Sequence, residues 1–410
     1  MIIIGTICGS FCAGIQSQVF GRKTTVLTTM VLYMIGISSL RFGPHHAFLF
    51  IGQFIMGFAG SSVACVVPVY TSELSEPKFR RLSGTFFTTF FSIGGALLFL
   101  FTALFDVENA LIITLIMAIV NFVLVMICPK SPTWLVSKGR TQEALDLLET
   151  MRGSTFVAME EFQRLEENKN KQESVGTSQE QENTFRRLFQ NIKQPTFLKP
   201  LFVLHILFVL GLNLSGATAM PIYFIPFIKE TGVSNILHPY WAASSLTLWR
   251  VLINILTTVV ASRVKRRPLY MTAASVVCLG WLLTGLNTYL QISGKYQDHD
   301  HVIQWVTYFS LALTMTGYAC GYVMVTFMLL GELLPSNVRG IGTGAVMFSN
   351  NIAWFLIVLL FPMLKSTFGM DGTFFLFSAV SLFVLLFAYF FIPETFNVTL
   401  ENIENYYRIK

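Results

Sequence analysis

Two pairs of opposite charge recur at one spacing. Glu73 is followed seven residues later by Arg80, and Glu332 is followed by Arg339 at the same distance. A carboxylate and a guanidinium at a membrane edge can form charge-assisted hydrogen bonds that close in one conformation and open in another. Partners for such pairs stand ahead of each, in Gly21-Arg22-Lys23 and in Lys265-Arg266-Arg267. After each pair come two apolar runs that end in a proline and a polar tail, Pro129-Lys130-Ser131-Pro132 in one case and Pro393-Glu394-Thr395 in the other. Arg22, Glu73, Arg80, Arg266, Arg267, Glu332 and Arg339 therefore read as a twice-built clamp at one side of a bilayer, with plain interfacial anchoring as the alternative.

Arg250, preceded by Trp249, is a different kind of charge. It lies inside an apolar run, about twelve residues or roughly 18 Å from the basic end of that run. An arginine at such depth costs several kcal/mol unless a wet cavity or a partner receives it, so function and snorkelling are the competing readings. In the preceding run Gly211, Asn213, Ser215, Gly216, Thr218 and Pro221 interrupt an otherwise apolar helix, the pattern of a broken helix lining a solute path. Later runs add Tyr318, Tyr322, Thr326 and Phe327, then Ser349, Asn350, Asn351 and Trp354.

Covalent chemistry finds no support. The six cysteines and six histidines form no metal-ligand spacing, and no phosphate loop, dinucleotide fingerprint or nucleophile elbow is present. No cofactor, metal or catalytic residue is expected. All 22 acidic residues fall in loops, tails or at the ends of apolar runs, which favours facilitated diffusion over proton symport.

The elements that position these residues are apolar helices. Of 410 residues, 53% are hydrophobic and 12% charged, too little polar surface for a soluble globule. Eleven apolar runs fall at about residues 1–19, 24–41, 47–72, 84–105, 109–128, 198–228, 238–262, 268–291, 303–331, 340–364 and 372–392. Each is long enough to cross about 30 Å of hydrocarbon as a helix. Of the 28 lysines and arginines, 23 sort to one side of these runs, so that side is read as cytosolic and carries the central loop and the C-terminus. The positive balance then reads as attraction to the inner leaflet, with no nucleic-acid partner.

The domain plan is residues 1–128 as a five-span bundle, 129–199 as a cytosolic loop with amphipathic helices, 200–392 as a six-span bundle and 393–410 as a cytosolic tail. Within the loop, residues 141–151 place Ala144, Leu145, Leu147 and Leu148 on one helical face, and residues 172–183 read as disordered. Two copies of one apolar plan are the signature of a secondary transporter. An odd span number implies a helix missing before Met1.

Taken in order, Gly21-Arg22-Lys23, Glu73 with Arg80, Pro129-Lys130-Ser131-Pro132-Thr133-Trp134 with Gly139-Arg140, Ser215-Gly216, Arg263 with Arg266-Arg267, Glu332 with Arg339-Gly340, and Pro393-Glu394-Thr395 with Thr399-Leu400-Glu401 carry a resemblance. The chain resembles the sugar porter family of the major facilitator superfamily, nearest to insect facilitated trehalose and hexose transporter-like proteins. That resemblance implies an all-α membrane protein of two pseudo-symmetric helical bundles, with eleven of an expected twelve transmembrane helices. It adds Arg140, Arg263 and Glu394 to the cytosolic gate. For the substrate it implies the positions of Thr88, Asn213, Thr218, Arg250, Thr326 and Phe327, to which the polar and aromatic residues Tyr223, Asn350, Asn351 and Trp354 of the apolar runs are added as candidates. The chain departs from the family's pattern at Gln18, Gln53, Lys130, Thr133 and Ser262, which thins the gate. It also departs at Thr88, Leu212, Thr218 and Arg250, and at Val323-Met324-Val325-Thr326-Phe327, which removes amide partners for sugar hydroxyls.

The expected activity is facilitative transport of a sugar, hexose or trehalose, by alternating access in the plasma membrane, by a monomer embedded in the lipid bilayer. Two alternatives stay open: a carrier of a small organic anion held by Arg250, and a non-transporting sensor or degenerate paralogue.

Overall fold

The computed structural model describes residues 1–75, 80–174, 195–261, 264–293, 300–334 and 339–395. Every regular element among them is helical. That follows from the apolar runs, because in hydrocarbon a helix satisfies its own backbone polar groups. Among the described residues nine helices are long and apolar enough to span a membrane, and Thr89–Leu104 is a shorter apolar one. The last of the nine, Gly342–Phe391, breaks at Gly369 (φ 74°, ψ 177°), so it carries two of the expected runs. The eleven runs are thus all present as helix, and the chain is a multi-pass membrane protein.

The chain divides into two compact units. Unit 1 comprises Met1–Phe87 and Glu108–Gln190. Its helices are α1 (Ile2–Val19), α2 (Arg22–Phe42), α3 (His46–Leu74), the start of α4 (Arg80–Leu104), α5 (Val107–Ile127), α6 (Pro132–Ser137), α7 (Thr141–Arg152) and α8 (Thr155–Ser174). Gly21 turns the chain from α1 to α2 at φ 88°, a conformation that a side chain resists, with the Trp134 ring lying where a Cβ would project. Small residues let α1 and α3 meet backbone to backbone: a Cβ at Gly5 would overlap the Phe54 carbonyl, and one at Gly57 the Ile2 carbonyl. Ser62 Oγ fastens the same seam by donating to the Gly9 carbonyl at 3.1 Å. Buried Ala13, Val26 and Val66, with Val125 of α5 packed on them, tie α1, α2, α3 and α5 together.

At the charged end of unit 1, α6, α7 and α8 make their own small core. Leu135, Val136 and Ala144 are buried, with Trp134, Leu147, Phe162 and Leu165 against them. Ala144 and Leu148 are the buried positions on the expected apolar face of α7, and Gly153, left-handed at φ 65°, ends that helix. Sequence reading missed α8. Residues 172–174, expected to be disordered, complete its last turn; the rest of that stretch lies outside the described residues.

Unit 2 comprises Thr88–Val107 and Asn191–Lys410. Residues 88–107, counted with the first bundle in the sequence reading, group here because α4 makes its contacts with this unit. Ser92 accepts from Asn254 Nδ2 at 2.8 Å, and Phe99 meets Phe224 edge-on at 5.8 Å. The remaining helices are α9 (Pro195–Ile206), α10 (Ala219–Ile222), α11 (Phe224–Glu230), α12 (Pro239–Ala261), α13 (Arg266–Ile292), α14 (Asp300–Gly317), α15 (Val323–Glu332) and α16 (Arg339–Phe391). A core of Trp281, Phe227, Phe374 and Phe377 joins α11, α13 and α16, with the Trp281 and Phe374 rings stacked at 5.2 Å.

Two spans lose their regular pitch. α9 runs into a π-helical stretch, Leu207–Leu214, and Gly216 at φ 89° then breaks the path before α10. α14 runs into a second π-helical turn, Tyr318–Tyr322, before α15. A π turn inserts one residue per turn and re-aims the side chains that follow, which is why such turns gather at functional places. The first of these falls where the glycines, Asn213 and Pro221 suggest a break.

Candidate gate and solute-facing residues

At the charged end of unit 1, Arg22 begins α2 and Glu73 ends α3, 51 residues apart in sequence. Glu73 Oε1 accepts from Arg22 Nη2 at 3.0 Å and from Nε at 3.2 Å. Its other oxygen, Oε2, accepts from Ser131 Oγ at 2.5 Å. Ser131 also caps α6 by accepting from the Trp134 amide at 3.2 Å. Arg22 Nη1 donates to the Ser17 carbonyl at 3.2 Å, and Trp134 Nε1 to the Gln18 carbonyl at 3.1 Å, so the cluster holds the ends of α1, α2, α3 and α6. The Arg22 and Glu73 side chains are 17% and 12% exposed, enough shielding for the pair to count energetically.

Unit 2 repeats the plan. Glu332 ends α15, with Oε1 3.7 Å from Arg266 Nε, and Oε2 accepts from Thr395 Oγ1 at 2.6 Å. The hydroxyl stands two residues after a proline in both cases, Pro129 to Ser131 and Pro393 to Thr395. Glu394 accepts from the Arg266 amide at 2.9 Å and the Arg267 amide at 3.3 Å, and so caps the start of α13. Arg267 itself turns to the Tyr389 carbonyl and ring.

The remaining sequence-picked gate residues fare differently. Arg140 pairs with Glu143 of its own helix start, as does Lys130 at 3.0 Å, so neither joins Glu73. The Arg80 and Arg339 side chains and the whole of Arg263 lie outside the described residues. Ser131 and Thr395 were not selected by sequence reading. Arg152 was also missed: it is bidentate to Glu161 at 2.7 and 3.1 Å, and it donates to the Leu74 carbonyl at 3.2 Å beside Glu73.

The polar residues proposed to face solute lie in unit 2. Thr218 Oγ1 donates to Asn213 Oδ1 at 3.0 Å, and Asn213 Nδ2 donates to Asn350 Oδ1 at 3.0 Å and to the Phe208 carbonyl at 2.8 Å. The break after α9 is thus tied to α16 by a chain of three side chains. Tyr223 is spoken for: its hydroxyl donates to the Val358 carbonyl at 2.8 Å, and its ring stacks on Phe361 at 4.2 Å. Thr326 is fully buried with its hydroxyl on the Tyr322 carbonyl, while Phe327 is exposed with an edge contact to Phe208. Trp354 Nε1 and Arg250 Nε are buried without a hydrogen-bond partner. Asn351 is half-buried on α16, and the Thr88 side chain lies outside the described residues. The described polar members of this set are amide, hydroxyl, indole and guanidinium groups.

Against known proteins, a family model described as sugar (and other) transporter matches residues 1–407. The facilitated trehalose transporter Tret1 of Bombyx mori is 26% identical over 403 residues, covering 98% of this chain and 76% of its own. The mouse (Mus musculus) solute carrier family 2, facilitated glucose transporter member 6, is 26% identical over 420 residues, covering 99% and 81%. Among solved structures, the inward open form of the xylose transporter XylE from E. coli superposes with a TM-score of 0.78 at 18% identity, covering 99% of this chain and 87% of that one. That likeness is one of fold. With the family model reaching across essentially the whole sequence, the chain belongs to the sugar (and other) transporter family.

Proposed function

We propose that the protein carries a sugar, a hexose or trehalose, down its gradient by alternating access. The observation that carries this reading is the gate built twice, in which a helix-ending glutamate divides its two oxygens between an arginine and a hydroxyl that follows Pro129 or Pro393. Paired clamps of this kind stabilise one conformation and must open for the other, which is what a carrier requires. Family membership supports a sugar as the cargo, and relatives named as facilitated trehalose and glucose transporters support both the cargo and the passive mode. The passive mode has further support in the placing of the acidic residues, none of which falls inside an apolar run. Residues 1–128 and 200–392 serve as the rocking bundles, joined by 129–199, in a monomer of the plasma membrane with that loop and residues 393–410 in the cytosol.

The test is uptake of labelled D-glucose and trehalose into oocytes or proteoliposomes. The reading expects saturable uptake that equilibrates and is unchanged by a protonophore. Uptake no greater than in uninjected oocytes or empty liposomes overturns it.

A further inference from the structure

Arg250 lies on the buried side of its helix. Ala243, Leu246, Thr247 and Thr257 of α12 are buried, and at helical spacing they share one face with Arg250 and Asn254. Leu248, Trp249, Leu252, Ile255, Leu256 and Val259 are exposed and form the other face. A snorkelling arginine would belong to that exposed face, so the lipid-facing alternative fails.

Its surroundings are polar, and no described carboxylate pairs with it. One turn along, Asn254 donates to Ser92 of α4, which aims this face at the helix that also bears Thr88. The helix that bears Arg250 packs against the turn Tyr318–Tyr322, whose Tyr318 hydroxyl donates to the Ser215 carbonyl at 2.6 Å, at the break between α9 and α10. The helix of Arg250 thus packs on the turn that is bonded to the stretch holding Asn213 and Thr218. Its Nε is buried without a partner, and among the described residues no carboxylate forms an ion pair with it. A positive charge at this depth, with no carboxylate partner among the described residues, favours any soluble anion that can reach it. The planar guanidinium fork matches a carboxylate, while the neighbouring amide and hydroxyl groups match sugar hydroxyls.

We propose that Arg250 makes this face select a carboxylate-bearing sugar, a uronate or aldonate, over the corresponding neutral sugar. The inference rests on the carrier reading for flux but not for binding, and the experiment separates the two. D-glucuronate and D-glucose differ only in a carboxylate against a hydroxymethyl group, so their ratio isolates the charge.

The full chain is purified and reconstituted, and labelled glucuronate and glucose uptake are compared in wild type, Arg250→Gln and Arg250→Lys. Binding of both sugars to detergent-solubilised protein is followed in parallel by tryptophan fluorescence. The wild type is expected to favour glucuronate by roughly tenfold to a hundredfold, the range of one charge-assisted hydrogen-bonded pair. Arg250→Gln is expected to collapse that ratio, and Arg250→Lys, which keeps the charge and loses the fork, to fall between. An inside-negative potential is expected to slow glucuronate entry and leave glucose unaffected. Flux with a glucuronate-to-glucose ratio near one, or a ratio that both variants leave unchanged, overturns the inference and keeps the carrier. Arg250-dependent glucuronate binding without flux of either sugar upholds the inference and overturns the carrier. Neither binding nor flux overturns both.

Discussion

Glu73 and Glu332 end their helices at matching places in the duplicated plan, yet they hold their partners differently. Glu73 receives Arg22 through two nitrogens at 3.0 and 3.2 Å with both side chains well shielded, whereas Glu332 stands 3.7 Å from Arg266 Nε and is 33% exposed. In unit 2 part of the work has moved to Glu394, whose carboxylate satisfies the first amides of α13. Unit 1 has Lys130 at the equivalent place after its proline, and Lys130 pairs with Glu143 at 3.0 Å. The start of α2 has only Gly21 as its cap, with no side-chain bond. A duplicated design can thus keep one contact, the hydroxyl on the second carboxylate oxygen, while trading a direct ion pair for a helix cap. Among the described residues the first gate has a close, shielded ion pair at its centre, and the second has a longer, more exposed one supported by a helix cap.

That contrast can be broken most directly at the glutamates. Glu73→Gln is expected to cost about 2–3 kcal/mol by leaving the shielded Arg22 without a charged acceptor, and Glu332→Gln about 1 kcal/mol, read as loss of apparent Tm in detergent. Equal losses would mean that the two gates are alike. Removing the hydroxyls comes next: Ser131→Ala and Thr395→Val each give up a bond to an ionised acceptor, about 1.5 kcal/mol by the same readout, with Ser131→Ala the larger because it also uncaps α6. Glu394→Ala is expected to cost about 1 kcal/mol through the start of α13; no change would show that the cap contributes nothing. The smallest effect sharpens the comparison in the opposite sense. Lys130→Glu gives unit 1 the capping carboxylate of unit 2, and it should raise stability by about 0.5 kcal/mol because the exposed Lys130–Glu143 pair it sacrifices is worth little.

The helical architecture was legible because apolar length is a strong signal, and the interruption of the sixth run was legible in Gly211, Gly216 and Pro221. The clamp between Arg22 and Glu73 could be expected because rare charges at a membrane edge have few possible partners. Ser131 and Thr395 could not be, since a serine or threonine in a polar loop looks the same whether it meets water or a carboxylate 58 or 63 residues away. The diversion of Arg140 and Lys130 to Glu143 was hidden for a related reason: a nearby carboxylate competes on geometry, which sequence order does not give. Helix α8 was obscured by its low apolar content. The place of Arg250 on the inward face of α12 could have been read from periodicity, since the exposed residues beside it are all large and apolar.

The seam between α1 and α3 has a mechanical consequence. With backbones in contact at Gly5, Gly9 and Gly57 and no room for a methyl group, α1 and α3 are locked side by side as a spar about 27 Å long. A tilt of about 10° at one end of such a spar sweeps the other end through roughly 5 Å, one helical turn. Glu73 at the end of α3 and Arg22, three residues beyond α1 and bonded to its Ser17 carbonyl, both ride at the tip of that spar, so a small rotation deep in the bilayer is magnified into a stroke that moves the clamp as one piece.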